Sequence, residues 1–252
     1  MYSWANRRKI IYLTIIALVI LIPLGIILFN VFYEKPTCFD GKRNQDEGGV
    51  DCGGVCSRVC PTNSSKPLVV WQRIFRIAPG VYNAAAYIQN PNVGAGAENV
   101  NYSVKVFDSE KRDLIIFERT GTTKIYPRSN FPIVETSITT GERTPGRIVF
   151  EFPENINWIK TQDDEKNISI TSKVLSNEDV SPRINVSLSN ESIKSYSSFE
   201  VVAIVYDSSD NAVGVSKTIV DSLPKNSKTN IVFTWPQPFS SKASRIEIVP
   251  KF

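Results

Sequence analysis

The hydrophobic and polar positions of this chain fall into three regimes. From Ile10 to Phe32 the run IIYLTIIALVILIPLGIILFNVF carries no charge. From Cys38 to Cys60 apolar residues thin out, and cysteine, glycine and aspartate take their place. From Pro67 to Phe252 the pattern alternates in short segments. Ile184, Val186 and Leu188 interleave with Asn185, Ser187 and Ser189; Ile231, Phe233 and Trp235 interleave with Asn230, Val232 and Thr234. A period of two is that of a half-buried strand. Clusters such as NPNVGAG, YPRSNFP, DSSDNA and LPKNS punctuate these segments as turns. No long helical period follows residue 33. The pattern therefore predicts an all-β fold preceded by one apolar helix.

The alternating part also compares with itself at a shift near 100. Ala84, Ala86, Ile88 and Asn90 fall opposite Ile184, Val186, Leu188 and Asn190. VKVFD, ending at Asp108, meets AIVYD, ending at Asp207. Arg147, Ile148 and Phe150 meet Arg245, Ile246 and Ile248. The order is kept while the shift drifts downward, as small loop deletions produce. Two copies of this length suit tandem immunoglobulin-like β-sandwiches, without the Cys…Trp…Cys of antibody domains. Trp158 with KTQDDEK reads as the seam between the copies, the charge run being solvated linker.

Spanning a bilayer takes about 20 apolar residues, and the first regime is long enough. A cleaved signal peptide has a shorter apolar core and a small-x-small cleavage site. FNVFYEKP offers no such site, so an uncleaved signal anchor is expected. Arg7, Arg8 and Lys9 precede the helix, and Glu34 and Lys35 follow it. The positive-inside rule keeps the first three cytoplasmic and places the bulk of the chain outside the cytoplasmic membrane. Tyr2, Trp4, Tyr12 and Tyr33 sit near the ends, where interfacial aromatics anchor a helix. The expected organisation is a cytoplasmic tip (1–9), a transmembrane signal anchor (10–33), a disulfide-rich module (37–61) and two sandwiches (67–158 and 167–252).

That address bears on the cysteines. Cys38, Cys52, Cys56 and Cys60 are spaced C-x13-C-x3-C-x3-C. Outside the cytoplasm such a cluster forms disulfides, in any of three pairings. Zinc would call for paired C-x2-4-C knuckles, and only one end of the segment has that form. Asp40, Asn44, Asp46, Glu47 and Asp51 offer oxygen ligands for calcium. They are equally the residues that bond their own backbone in turns, and no EF-hand register is present. The stretch DGKRNQDEGGVDCGGVC resembles a short module of bacterial surface proteins, C-x-DG-x-x-N-x-x-E-x-x-VDCGG-x-C-x-x-C. The match keeps Asp40, Gly41, Asn44, Glu47, Val50, Asp51, Cys52, Gly53, Gly54 and Cys56, and departs by one extra residue before Cys60. It implies an exported, surface-exposed protein and no activity.

Composition narrows the chemistry. The chain of 252 residues has 29 Lys and Arg, 25 Asp and Glu, and no histidine, for a net charge of +4. Triads and zinc sites built on histidine are ruled out. The charge forms no basic stripe, so nucleic acid is not an expected partner. No G-x-S-x-G elbow occurs. The carboxylate pairs Asp108 with Glu110, Asp163 with Asp164, and Glu178 with Asp179 all lie in predicted turns, so no catalytic residues are expected and the chain is not read as an enzyme.

AIVYDSSDNAVG…SLPKNSKTNIVFTW is similar to the FxLYD-type bacterial domain, an immunoglobulin-like sandwich. Tyr206-Asp207 and Pro224 carry the likeness, Phe107-Asp108 and Pro127 repeat it in the first copy, and Ala203 stands where that pattern has Phe. The likeness implies an envelope-associated binding or spacer module. On FEVVAIVYD, Val201, Ala203 and Val205 face the core, and Val202, Ile204 and Tyr206 face the other way while also being apolar. Such a face marks a partner site or a strand covered by a loop or the other domain. If a partner docks there, Ile204→Lys abolishes capture and leaves the fold intact.

The expected function is a non-catalytic, membrane-tethered envelope protein whose partners are the membrane and other envelope proteins or surface glycans. An accessory subunit of an envelope export or assembly machine is the alternative. No cofactor is expected beyond calcium in the cysteine module.

Overall fold

A computed structural model describes residues 4–33, 35–44, 46–161 and 168–252. Tyr2, Glu34, Asp163 and Asp164 lie outside the described residues, as does most of the KTQDDEK run. The chain divides into two compact units, Met1–Cys56 and Ser57–Phe252.

In the first unit, α1 runs from Trp4 to Phe32 and contains Pro23. Its stretch Asn6–Phe32 is long and apolar enough to cross a membrane, and none of it is buried within the chain. Thr14 Oγ1 donates to the Ile10 carbonyl at 2.8 Å, and Asn30 Nδ2 donates to the Ile26 carbonyl at 2.9 Å. Two polar side chains of the run thus bond the helix's own carbonyls. The cysteine-rich loop follows without regular strands.

The second unit is all β. Its first half has β1 (Leu68–Ala78), β2 (Val81–Gln89), β3 (Ala95–Asp108), β4 (Ile115–Ile125), β5 (Asn130–Thr139), β6 (Pro145–Glu151) and the short β7 (Ile159–Lys160). Its second half has β8 (Ile168–Ser176), β9 (Arg183–Asn190), β10 (Tyr196–Tyr206), β11 (Ala212–Leu223), β12 (Lys228–Thr234) and β13 (Arg245–Lys251). Sheet order β1-β2-β5 and β4-β3-β6 in the first half becomes β8-β9-β12 and β11-β10-β13 in the second. Registers correspond as well. Val106 lies opposite Ile148, and Val205 opposite Ile246; Ala86 lies opposite Ile133, and Val186 opposite Ile231. The repeat in the sequence is a repeated antiparallel sandwich.

Each sandwich closes on its own core. Ala84, Ala86, Ile88, Val104, Val106, Ile133 and Phe150 fill the first. Ile184, Val186, Leu188, Val201, Ala203, Val205, Phe233 and Trp235 fill the second. Two boundaries differ from expectation. Trp158 is buried in the first core and is not a seam residue. Its backbone carbonyl accepts the Val59 N–H at 2.9 Å, and Arg58 bridges Ile159. Residues 57–60 therefore belong with the first sandwich, which continues past residue 158 through β7 on β3.

A buried asparagine pins the same corner of each copy. Asn90 Nδ2 donates to the carbonyls of Ala95 and Tyr126 at 2.9 and 2.8 Å, and its Oδ1 accepts the Asn92 N–H at 3.0 Å. Asn190 Nδ2 reaches the carbonyls of Lys194, Leu223 and Pro224, and its Oδ1 accepts the Ser192 N–H at 3.0 Å. One side chain thereby ties the loop after β2 or β9 to the turn before β5 or β12. The edge strands are guarded too. Gln72 Oε1 accepts the outward N–H of Phe150 on β6 at 2.9 Å, and Lys173 Nζ donates to the Ile246 carbonyl on β13 at 2.6 Å.

Removing a buried side chain that satisfies several backbone groups leaves them unpaired, at about 1–3 kcal/mol. Asn190→Ala is expected to lose roughly 2 kcal/mol and to melt several degrees lower. The exposed Asn185→Ala should stay within about 0.5 kcal/mol of the parent. Thermal and urea unfolding of the two variants checks this.

Candidate functional site

The cysteine loop is organised from its acidic residues inward. Cys38 and Cys56 form a disulfide with an S–S distance of 1.99 Å. Cys52 and Cys60 are also disulfide-bonded, so among the described residues no cysteine is free. Cys52, Cys56 and Cys60 are buried, although the segment holds few apolar side chains. Crosslinks take the place of a core here.

Four of the five proposed oxygen ligands are brought together, and three of them, Asp40, Glu47 and Asp51, accept from the loop's own N–H groups. Asp40 accepts the N–H groups of Thr37 and Lys42 at 3.0 and 2.9 Å, and Asn44 Nδ2 at 2.7 Å. These donors, the Thr37 N–H foremost, hold its carboxyl below the usual range. Asp51 accepts the Gly41 N–H through both oxygens, at 3.0 and 3.2 Å. Glu47 is buried, and its Oε2 accepts the N–H groups of Asn44 and Asp51, both at 3.3 Å. Asp46 stands exposed; its backbone carbonyl occupies the place that a Cβ on Gly54 would take, so only glycine fits there. Asn44 Oδ1 is buried with no hydrogen-bond partner. Cys38, Glu47 and Cys56 also converge within 4.8 Å. The two sulfurs are joined to each other, however, and offer no thiolate; the 3.1 Å approach of Cys56 Sγ to Glu47 Oε1 is packing, since a disulfide sulfur has no proton to donate. Asp40, Glu47 and Asp51 thus act as turn formers in a crosslinked loop.

The second candidate, the apolar outer face of β10, is not a free surface. Val202 and Ile204 are 0% exposed and Tyr206 is 4% exposed. With Ala212 and Val215 they pack against Ala85 and Val134, flanked by Trp71, Phe75 and Tyr87. The outer face of β1-β2-β5 thus meets the outer face of β11-β10-β13. Trp71 stacks on Tyr87 at 5.8 Å and meets Tyr206 edge-on at 6.4 Å. A polar rim surrounds this apolar centre. Arg73 donates to Asn211 Oδ1 at 2.6 Å and to the Ala212 carbonyl at 3.2 Å. Tyr87 Oη donates to Glu247 at 2.6 Å, and Tyr126 Oη to the Phe252 carbonyl at 2.9 Å. Burial, then the nearby Glu247, pushes Tyr206 up to about 12. Burial likewise lowers Lys251, opposed by Glu200. The partner of this face is the chain's own first sandwich.

Sequence reasoning found one half of this seam and missed the other. Ala84, Ala86 and Ile88 on β2 point to their own core, while Ala85 and Tyr87 point to the seam. The stretch AAAYI is apolar on both faces, the same signal as in VVAIVY.

Of the carboxylate pairs, Asp108 closes a turn. Asp108 accepts the N–H groups of Glu110 and Lys111 at 2.8 and 2.9 Å. Asp207 does the same for Ser209 and Asn211 at 2.8 and 2.9 Å, so the repeated aromatic-Asp pair ends a strand in a side-chain-closed turn. Glu178 accepts the Ala243 N–H at 2.6 Å.

No family model and no curated protein matches this chain. Among solved structures it is similar to a glycosyl hydrolase family 2 member from Bacteroides cellulosilyticus, at 10% identity and a TM-score of 0.25. That match covers 68% of this chain and 28% of the other. A transglutaminase of red sea bream matches at 9% identity and a TM-score of 0.21, over 72% and 30%. The chain thus spans less than a third of either protein. Likenesses this slight carry no functional argument.

Two outcomes follow from these sites. Ile204→Lys places a charge in a dry seam and is expected to lose roughly 3–5 kcal/mol, seen as a lower melting temperature and faster proteolysis. An unchanged melt would mean that the seam is open. Alkylation of the non-reduced chain should label no cysteine, and peptide mapping should join Cys38 to Cys56.

Proposed function

We propose that this protein is a non-catalytic, membrane-tethered envelope protein that presents two immunoglobulin-like sandwiches outside the cytoplasmic membrane. The observation that carries this reading is α1, exposed on every side and uncharged from Ile10 to Phe32, with Thr14 and Asn30 bonded to its own backbone. Such a helix is at home in hydrocarbon. Arg7, Arg8 and Lys9 on one flank orient it with its N-terminus inside. Disulfides in the following loop suit an oxidising compartment.

The packing of the sandwiches supports presentation as one block. The apolar seam and its rim oppose bending between the copies, so whatever is displayed is held at a defined orientation. Partners would be surface glycans or other envelope proteins.

Membrane fractionation with protease protection tests the tether. The expected result is a chain that stays with the membrane after alkaline wash, with residues 57–252 open to protease from outside. A chain released into the medium and shortened by its apolar run would make α1 a signal peptide and overturn the tether. Crosslinking in the same membranes should find partners on the sandwiches; partners confined to α1 would favour the machine-subunit reading.

A further inference from the structure

The two copies share an arginine that they treat differently. Arg147 on β6 lies opposite Phe107, and Arg245 on β13 lies opposite Tyr206. Each guanidinium sits over its aromatic ring, at 4.2 and 3.8 Å. In the second copy Arg245 is neutralised by Asp210 at 3.0 Å and Glu247 at 3.2 Å. In the first copy Val149 stands at the position of Glu247. The turn after the central strand is also longer: the Asp108 N–H closes on Leu114, whereas the Asp207 N–H closes on Asn211. That longer turn brings in Arg112 and Asp113. Among the described residues, no carboxylate pairs with Arg112 or Arg147.

The difference opens a cavity of about 540 Å³, bounded by Asp108, Ser109, Arg112, Asp113, Gly146 and Arg147. Asp108 does not neutralise it. Its carboxylate is held by two backbone N–H groups and by Arg143 at 3.3 Å. Gly146 forms one wall, because a Cβ there would stand 2.6 Å from the Ser109 Cα. What remains is two unneutralised guanidiniums, a hydroxyl and one acidic acceptor around a space of ligand size.

From this cavity we infer that the first sandwich carries a binding site for an acidic sugar, with Arg112 and Arg147 on the carboxylate and Ser109 and Asp113 on the hydroxyls. Guanidiniums grip a planar oxyanion through paired N–H donors, and the aromatic ring beneath Arg147 preorganises one of them. The inference deepens the reading of the sandwiches as a presented binding block. Its test is independent of the tether, since binding is read on the purified protein.

Saturation-transfer NMR on the full chain in a non-ionic detergent is the experiment, with glucuronate, glucose and inorganic phosphate as probes. Glucuronate is expected to bind at least tenfold more tightly than glucose. Arg147→Gln and Arg112→Gln should each weaken glucuronate at least tenfold, with unchanged melting temperature, while Arg147→Lys falls between. The exposed Arg183→Gln should leave binding unchanged. No glucuronate binding up to about 10 mM, a range where a weak single site still registers, would overturn the site. So would equal binding of glucose, or an Arg147→Gln variant that folds and binds as the parent does. Phosphate bound tenfold more tightly than glucuronate would overturn the sugar assignment.

Discussion

The burial of two outer sheet faces against each other organises the larger unit of this protein. A sandwich strand ordinarily shows one face to its core and one to water. Here β2 and β10 are apolar on both, and the second faces meet. Val202, Ile204 and Tyr206 on one side and Ala85, Val134, Trp71 and Tyr87 on the other shut out water. Contacts across this seam fix the position of one copy on the other, and the rim bonds of Arg73 and Tyr87 add direction to a contact that apolar packing alone leaves slippery.

The seam also explains why two copies of one fold have diverged. Both keep what closes a sandwich: the strand order, the buried asparagine at the corner, the aspartate turn and the guarded edge. They differ on the faces that look outward. The first copy is apolar outside on β1-β2-β5, the second on β11-β10-β13, so the contact is head-to-tail. Arg245 sits at the seam's margin and is matched by acids. Arg147, its counterpart, has Val149 where Glu247 stands, and beside it are a longer turn and an open space.

The smaller unit is built differently. Its loop is too small and too polar for a core, so covalent bonds and carboxylate-capped N–H groups shape it. Glu47 shows the logic best, a buried acid whose acceptors meet backbone donors on either side of the loop. The same five residues that look like metal ligands in the sequence are, in three dimensions, mostly turned on their own backbone.

Much of this was legible in one dimension, because local patterns carry it. The apolar run of α1, the crowding of cysteines, the alternation of Ile184, Val186 and Leu188, and the repeat itself depend on spacing along the chain alone. The double-faced character of VVAIVY was equally plain. What covers that face was not, since the covering residues, from Trp71 to Val134, lie in the other copy, far earlier in the chain, and a strand's second face carries no mark of its partner. Trp158 was misplaced for a like reason: a polar run beside it suggested a seam, while its ring reaches back into the first core. The cavity at Arg147 belongs to the same class. Its residues come from the end of β3 with the turn after it and from the start of β6, brought together by strand pairing, and whether an arginine is neutralised depends on which acids lie beside it in space. Periodicity and composition determined the elements and their order; long-range pairing alone decided which faces are dry, which charges are matched and where a ligand has room.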